Sequence, residues 1–104
     1  MTELGPMYNP PHPGEFITEV YLKPSGMSSR RLAGKLGVTP STLQRLLRGS
    51  HRVSPEMAMR LSVVLGRSAR SWLSMQASYD LWELSRDFEP GGLERLDFSG
   101  ASES

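Results

Sequence analysis

The sequence predicts an all-α domain of five helices, and three observations predict it. Helix-start signatures recur along the chain: His12-Pro13, Ser28, Thr39-Pro40, Ser54-Pro55 and Ser68 each precede apolar residues at helical spacing. Glycines 26, 37, 49 and 66 stand where those runs stop. No stretch alternates apolar and polar residues long enough to argue a strand.

Residues 1–11 are rich in Pro and Gly, lack periodicity and read as a flexible arm, with Met1 and Met7 both candidate starts. Pro13 suits a first helical position and Glu15 the positive end of the helix dipole. Phe16, Ile17, Val20 and Tyr21 form the apolar stripe of this first helix, which Pro24 and Gly26 are expected to stop. Ser28 caps a short second helix carrying Leu32, Ala33 and Leu36. The third runs from Thr39-Pro40 to about Arg48. The fourth, opened by Ser54-Pro55-Glu56, carries Met57, Ala58, Leu61, Val64 and Leu65 and ends at Gly66. The fifth and longest runs from Ser68 to about Arg86. The domain is therefore expected over 12–86. An acidic, Gly/Ser-rich, mostly flexible tail follows over 87–104, in which Leu93, Leu96 and Phe98 are expected to add a short ordered piece.

The chain of 104 residues is one domain's worth. It has no cysteine and two histidines, His12 and His51, which excludes disulfides and argues against a metal site or any cofactor held by one. No apolar run approaches the ~20 residues of a membrane helix, and no signal pattern appears, so a cytoplasmic location is expected. No Gly-flanked nucleophile, phosphate loop or paired-carboxylate site stands out, which argues against an enzyme.

Net charge is +1, but its distribution is uneven. Residues 1–19 hold Glu3, Glu15 and Glu19 and no base. Residues 20–55 hold Lys23, Arg30, Arg31, Lys35, Arg45, Arg48 and Arg52 and no acid. Residues 80–104 are acidic again. A basic middle between acidic ends suggests a polyanion-binding centre.

The bases fall on a recognisable pattern. Only Gly37-Val38-Thr39 separates the second and third helices, a spacing that forces a steep crossing, as in a helix-turn-helix. With Ser29 as its first place, that motif asks for a small fifth residue, and Ala33 is there. It asks for a ninth that tolerates a left-handed backbone, and Gly37 is there. Leu32, Leu36, Val38, Leu43 and Leu46 fill its five apolar places. On the third helix Leu43, Leu46 and Leu47 face inward, while Ser41, Gln44, Arg45 and Arg48 make an outer stripe without an acid. Such a face fits the ~12 Å major groove, where Gln pairs with adenine and Arg with guanine. The candidate DNA contacts are Thr39, Ser41, Thr42, Gln44, Arg45 and Arg48 on this helix. Ser50, His51 and Arg52 beyond it, and Arg30 and Arg31 on the second helix, are placed for the phosphate backbone. The reading is an all-α, five-helix, repressor-like helix-turn-helix domain with flexible termini.

Around this motif the sequence resembles HigA antitoxins of bacterial HigB–HigA toxin–antitoxin modules, within the Cro/phage-repressor class. The resemblance rests on His12-Pro13-Gly14-Glu15-Phe16-Ile17, on Met57-Ala58-Met59-Arg60-Leu61-Ser62, and on Trp72-Leu73, Gln76 and Tyr79-Asp80-Leu81. It covers about residues 10–86. It implies a homodimer that binds a palindromic operator in its own promoter and neutralises a HigB-like, RelE-type toxin that cleaves mRNA. A stand-alone repressor of the same fold without a toxin partner is the alternative.

The fifth helix is apolar over more than one face, which points to two bodies packed against it. One is its own core and the other a twofold copy, with Met75, Tyr79, Trp82 and Leu84 as candidate dimer contacts. A toxin acting on RNA is expected to be basic, so Asp87, Glu89, Glu94 and Asp97, and Glu3, Glu15 and Glu19, are candidate contacts for it.

Overall fold

In the computed structural model, which describes residues 9–99, five helical runs pack around one core. Helix α1 consists of three consecutive segments, Pro13–Ile17, Thr18–Leu22 and Lys23–Ser25, the middle one a π-helical turn. Helix α2 is Ser29–Leu36, α3 Pro40–Leu47, α4 Pro55–Val64 and α5 Ala69–Ser85.

The starts obey the capping chemistry read from the sequence. The hydroxyls of Ser28, Thr39, Ser54 and Ser68 accept the N–H groups of Arg31, Thr42, Met57 and Ser71, each three residues on. At α1 the cap is an imidazole: the Gly14 N–H donates to His12 Nδ1 at 2.9 Å.

Pro24 does not stop α1, contrary to the sequence expectation. It lies inside the last turn, and the left-handed Gly26 (φ 73°) ends the helix. The π turn explains this. Lys23 N–H reaches back five residues to the Thr18 carbonyl, which shifts the ladder before the proline ring can collide with it. Ser25 Oγ then donates to the Tyr21 carbonyl at 2.6 Å.

Ile17, Leu32, Ala33, Leu43, Ala58, Leu61 and Trp72 are fully buried, with Trp72 the largest of them. Its indole N–H donates to the Gly66 carbonyl at 2.9 Å, and Phe16 meets its ring edge-on. Arg67 adopts φ 62° just after Gly66 (φ 90°) and spreads its guanidinium over Phe16, 5.0 Å from the ring centroid. That cation–π contact helps offset a left-handed backbone that a side chain disfavours.

Beyond Asp87 the described residues form neither helix nor strand. Leu93, Leu96 and Phe98 are about 70% exposed, so the short ordered piece expected there is not a regular element. Three separated apolar side chains that lie outside the core cluster cannot offset the entropy of ordering their backbone.

Candidate nucleic-acid interface

Three backbone devices present α3. Gly37, at φ 74°, turns the chain between α2 and α3, and Val38 N–H closes the turn on the Ala33 carbonyl at 3.0 Å. Arg60 of α4 donates to the Leu36 carbonyl at 2.8 Å while pairing with Glu56, and so ties the turn to the next helix. Gly14 of α1 packs directly on the end of α3, where a side chain would overlap the Leu46 carbonyl.

The buried face of α3 is Leu43 and Leu46, with Leu47 half-buried. Ser41, Gln44, Arg45 and Arg48 are all exposed on the other side, as the periodicity predicts. Arg30 and Arg31 are exposed on the first turn of α2. Gln44 is not idle: its amide nitrogen donates to Ser29 Oγ, across the motif, at 2.9 Å. Arg48 closes α3 and lines a cleft with Glu15, Glu83 and Arg86, so carboxylates flank that end of the stripe.

Several predicted contacts already have partners within the chain. Thr39 Oγ1 accepts the Thr42 N–H and donates to Thr42 Oγ1 at 2.8 Å, which makes it the cap of α3. Ser50 Oγ donates to the Arg45 carbonyl at 3.0 Å and closes the other end. Arg52 pairs with Asp80 of α5. His51 is exposed, and its backbone acts on the buried ring of His12 to raise that ring's pKa.

A buried polar chain anchors this loop, and sequence reasoning missed it. Gln76, 2% exposed, accepts the Val53 N–H at 2.8 Å and donates to Asp80 Oδ1 at 3.0 Å. Asp80 in turn holds Arg52. His12 sits beside this chain, its ring edge-on to Tyr79 with centroids 5.0 Å apart. Burial pushes the His12 imidazole below its ordinary 6.5, against the raising influence of the His51 backbone and Glu15. The signal for His12 was present: it precedes a proline, as Thr39 and Ser54 do.

On α5 the residues of the expected dimer set have different surroundings within the chain. Met75 packs on its own core, Tyr79 on His12, and Trp82 lies half-buried under the Arg86 guanidinium, 4.6 Å from its centroid. Leu84 is 62% exposed and Leu81 66%, on a line that begins at Ala77 and reaches Phe88. The open apolar face of α5 is this second line.

Residues 20–72 match the helix-turn-helix family, a span holding all of α2, α3 and α4. Virulence-associated protein I of Dichelobacter nodosus is 42% identical over 76 residues, which are 73% of this chain and 70% of that protein. Antitoxin HigA-1 of Vibrio cholerae is 32% identical over 76 residues, 73% of this chain and 71% of that one. This chain belongs to the HigA-type helix-turn-helix family. A solved structure of antitoxin GraA in complex with its operator superposes on this HigA-type chain with a TM-score of 0.80 at 35% identity. That match covers 91% of this chain and 99% of GraA. The protein is an antitoxin-type DNA-binding regulator whose regular elements among the described residues are all helices. No helix among those residues is long and apolar enough to cross a membrane.

Proposed function

We propose that this chain is the antitoxin of a two-gene module: a cytoplasmic homodimer that represses its own operon and neutralises a RelE-like, mRNA-cleaving toxin. The observation that carries the DNA half is the outer face of α3. Ser41, Gln44 and Arg45 stand free of acidic neighbours on a helix seated by Gly14, Gly37 and Arg60. Arg45 reads a base edge in the major groove, and Arg30 and Arg31 grip phosphates. Arg48 reaches the DNA from the end of the stripe.

Two copies joined through Leu81, Leu84 and neighbouring apolar residues of α5 set two such helices about one helical turn, ~34 Å, apart and so read a palindrome. The solved operator complex of GraA supports the DNA-binding half of this reading. For the toxin, Glu15, Glu19, Asp87, Glu89, Glu94 and Asp97 are exposed and suit a basic partner. Glu3 lies outside the described residues.

The test is co-expression with the adjacent gene, affinity capture and intact mass. Recovery of a small basic protein that stops growth when expressed alone is the expected result. Capture of the homodimer alone, beside a harmless neighbour, assigns a stand-alone repressor instead.

A further inference from the structure

The Ser29–Gln44 hydrogen bond carries an inference that rests on the DNA-binding reading and sharpens it. It joins the first residue of α2 to the outward face of α3. A glutamine carboxamide turns about a terminal torsion that is broad and roughly two-fold, so alone it offers oxygen and nitrogen to either side. In this structure one Nε2 hydrogen goes to Ser29 Oγ, which places the nitrogen on the Ser29 side. Ser29 is a firm anchor, because the Ser28 cap fixes the turn it belongs to.

The amide keeps a second N–H and its Oε1 acceptor. In the major groove that pair complements adenine, whose N7 accepts and whose N6 donates. Guanine presents two acceptors there, and would set its O6 against Oε1. We propose that Ser29 is a specificity-determining positioning residue: by holding Gln44, it makes that side chain a reader of adenine.

The test is selection from a pool of random-sequence DNA duplexes by the full chain and its Ser29→Ala, Ser29→Thr, Ser29→Val and Gln44→Ala variants, all checked by thermal melting. Wild type and Ser29→Thr are expected to enrich the same adenine in each half-site, and Gln44→Ala to lose it. Ser29→Ala and Ser29→Val are expected to lower the preference at that one position about fivefold or more, leaving other positions unchanged. Ser29→Ala added to Gln44→Ala is expected to change nothing further. A retained adenine preference in both Ser29→Ala and Ser29→Val, or an equal weakening at every position, overturns the proposal. If wild type enriches no motif at all, the DNA-binding reading fails and this inference fails with it.

Discussion

The backbone N–H of Val53 ends on the side-chain oxygen of Gln76, 2.8 Å away and 23 residues along the chain. This one buried contact holds the segment that follows the recognition helix against α5. Replacing Gln76 by Leu leaves the Val53 donor without an acceptor and takes from Asp80 its Gln76 donor, leaving it the pair with Arg52. The expected cost is about 1–3 kcal/mol in chemical denaturation, together with faster amide exchange at Val53. Unchanged exchange there would show that another group takes the donor over.

Gly14→Ala tests the seating of α3. The added methyl overlaps the Leu46 carbonyl and stands 2.8 Å from Leu47 Cα, both of them backbone. Backbone cannot step aside as a flexible side chain does, so a loss of about 3 kcal/mol or more is expected. A melt within a degree or two of wild type would mean that α1 and α3 pack more loosely than described.

His12 links stability to pH. Its folded pKa lies below the ordinary 6.5, because burial disfavours the cation and Nδ1 is already accepting from Gly14. Above 6.5 both folded and unfolded forms are neutral, and the cap is intact. As pH falls below that value the unfolded chain takes up the proton first, so stability drops, and the loss levels off once the folded ring is protonated. His12→Asn keeps a capping oxygen without a titrating ring. Thermal melts between about pH 7.5 and pH 5.5 should show a shallower decline for this variant.

Arginines on the two helices should separate base readout from backbone grip. Arg45→Ala is expected to lower affinity for the promoter duplex by about 1–3 kcal/mol and to relax base preference. Arg30→Ala should weaken specific and random DNA alike, with a shallower dependence on salt. Titrations at several salt concentrations distinguish the two patterns, and identical behaviour would dissolve the distinction.

The open line on α5 sets the last prediction. Leu81→Glu with Leu84→Glu should give a monomer in sedimentation velocity, with affinity for a two-half-site duplex down by about a hundredfold. A dimer that survives this change would move the interface elsewhere.

The helix boundaries and the α2–α3 crossing were legible because caps, prolines and glycines act locally, and Ser28, Thr39, Ser54 and Ser68 each do what their positions announce. Pro24 misled because its usual effect was cancelled by a π turn upstream that no single residue encodes. The outer stripe of α3 followed from periodicity, whereas the partners of Gln44 and Arg52 lie 15 and 28 residues away, beyond any local pattern. Gln76 was illegible for the same reason. A glutamine amid apolar neighbours looks like a surface residue until the fold supplies Val53 and Asp80. On α5 two apolar lines run side by side, and only packing shows that Met75 lies against the core and Tyr79 against His12 while Leu81 and Leu84 stay open.

The bond from Arg60 to the Leu36 carbonyl makes the DNA-reading pair and α4 a single piece, without a joint between them. In the proposed dimer, two such pieces fixed back to back form a caliper with a locked span. Each base pair added between half-sites turns the second one by about 35° around the duplex. A caliper with no joint cannot follow that rotation, so the proposed dimer reads spacing as well as base identity, through the rigidity of the instrument.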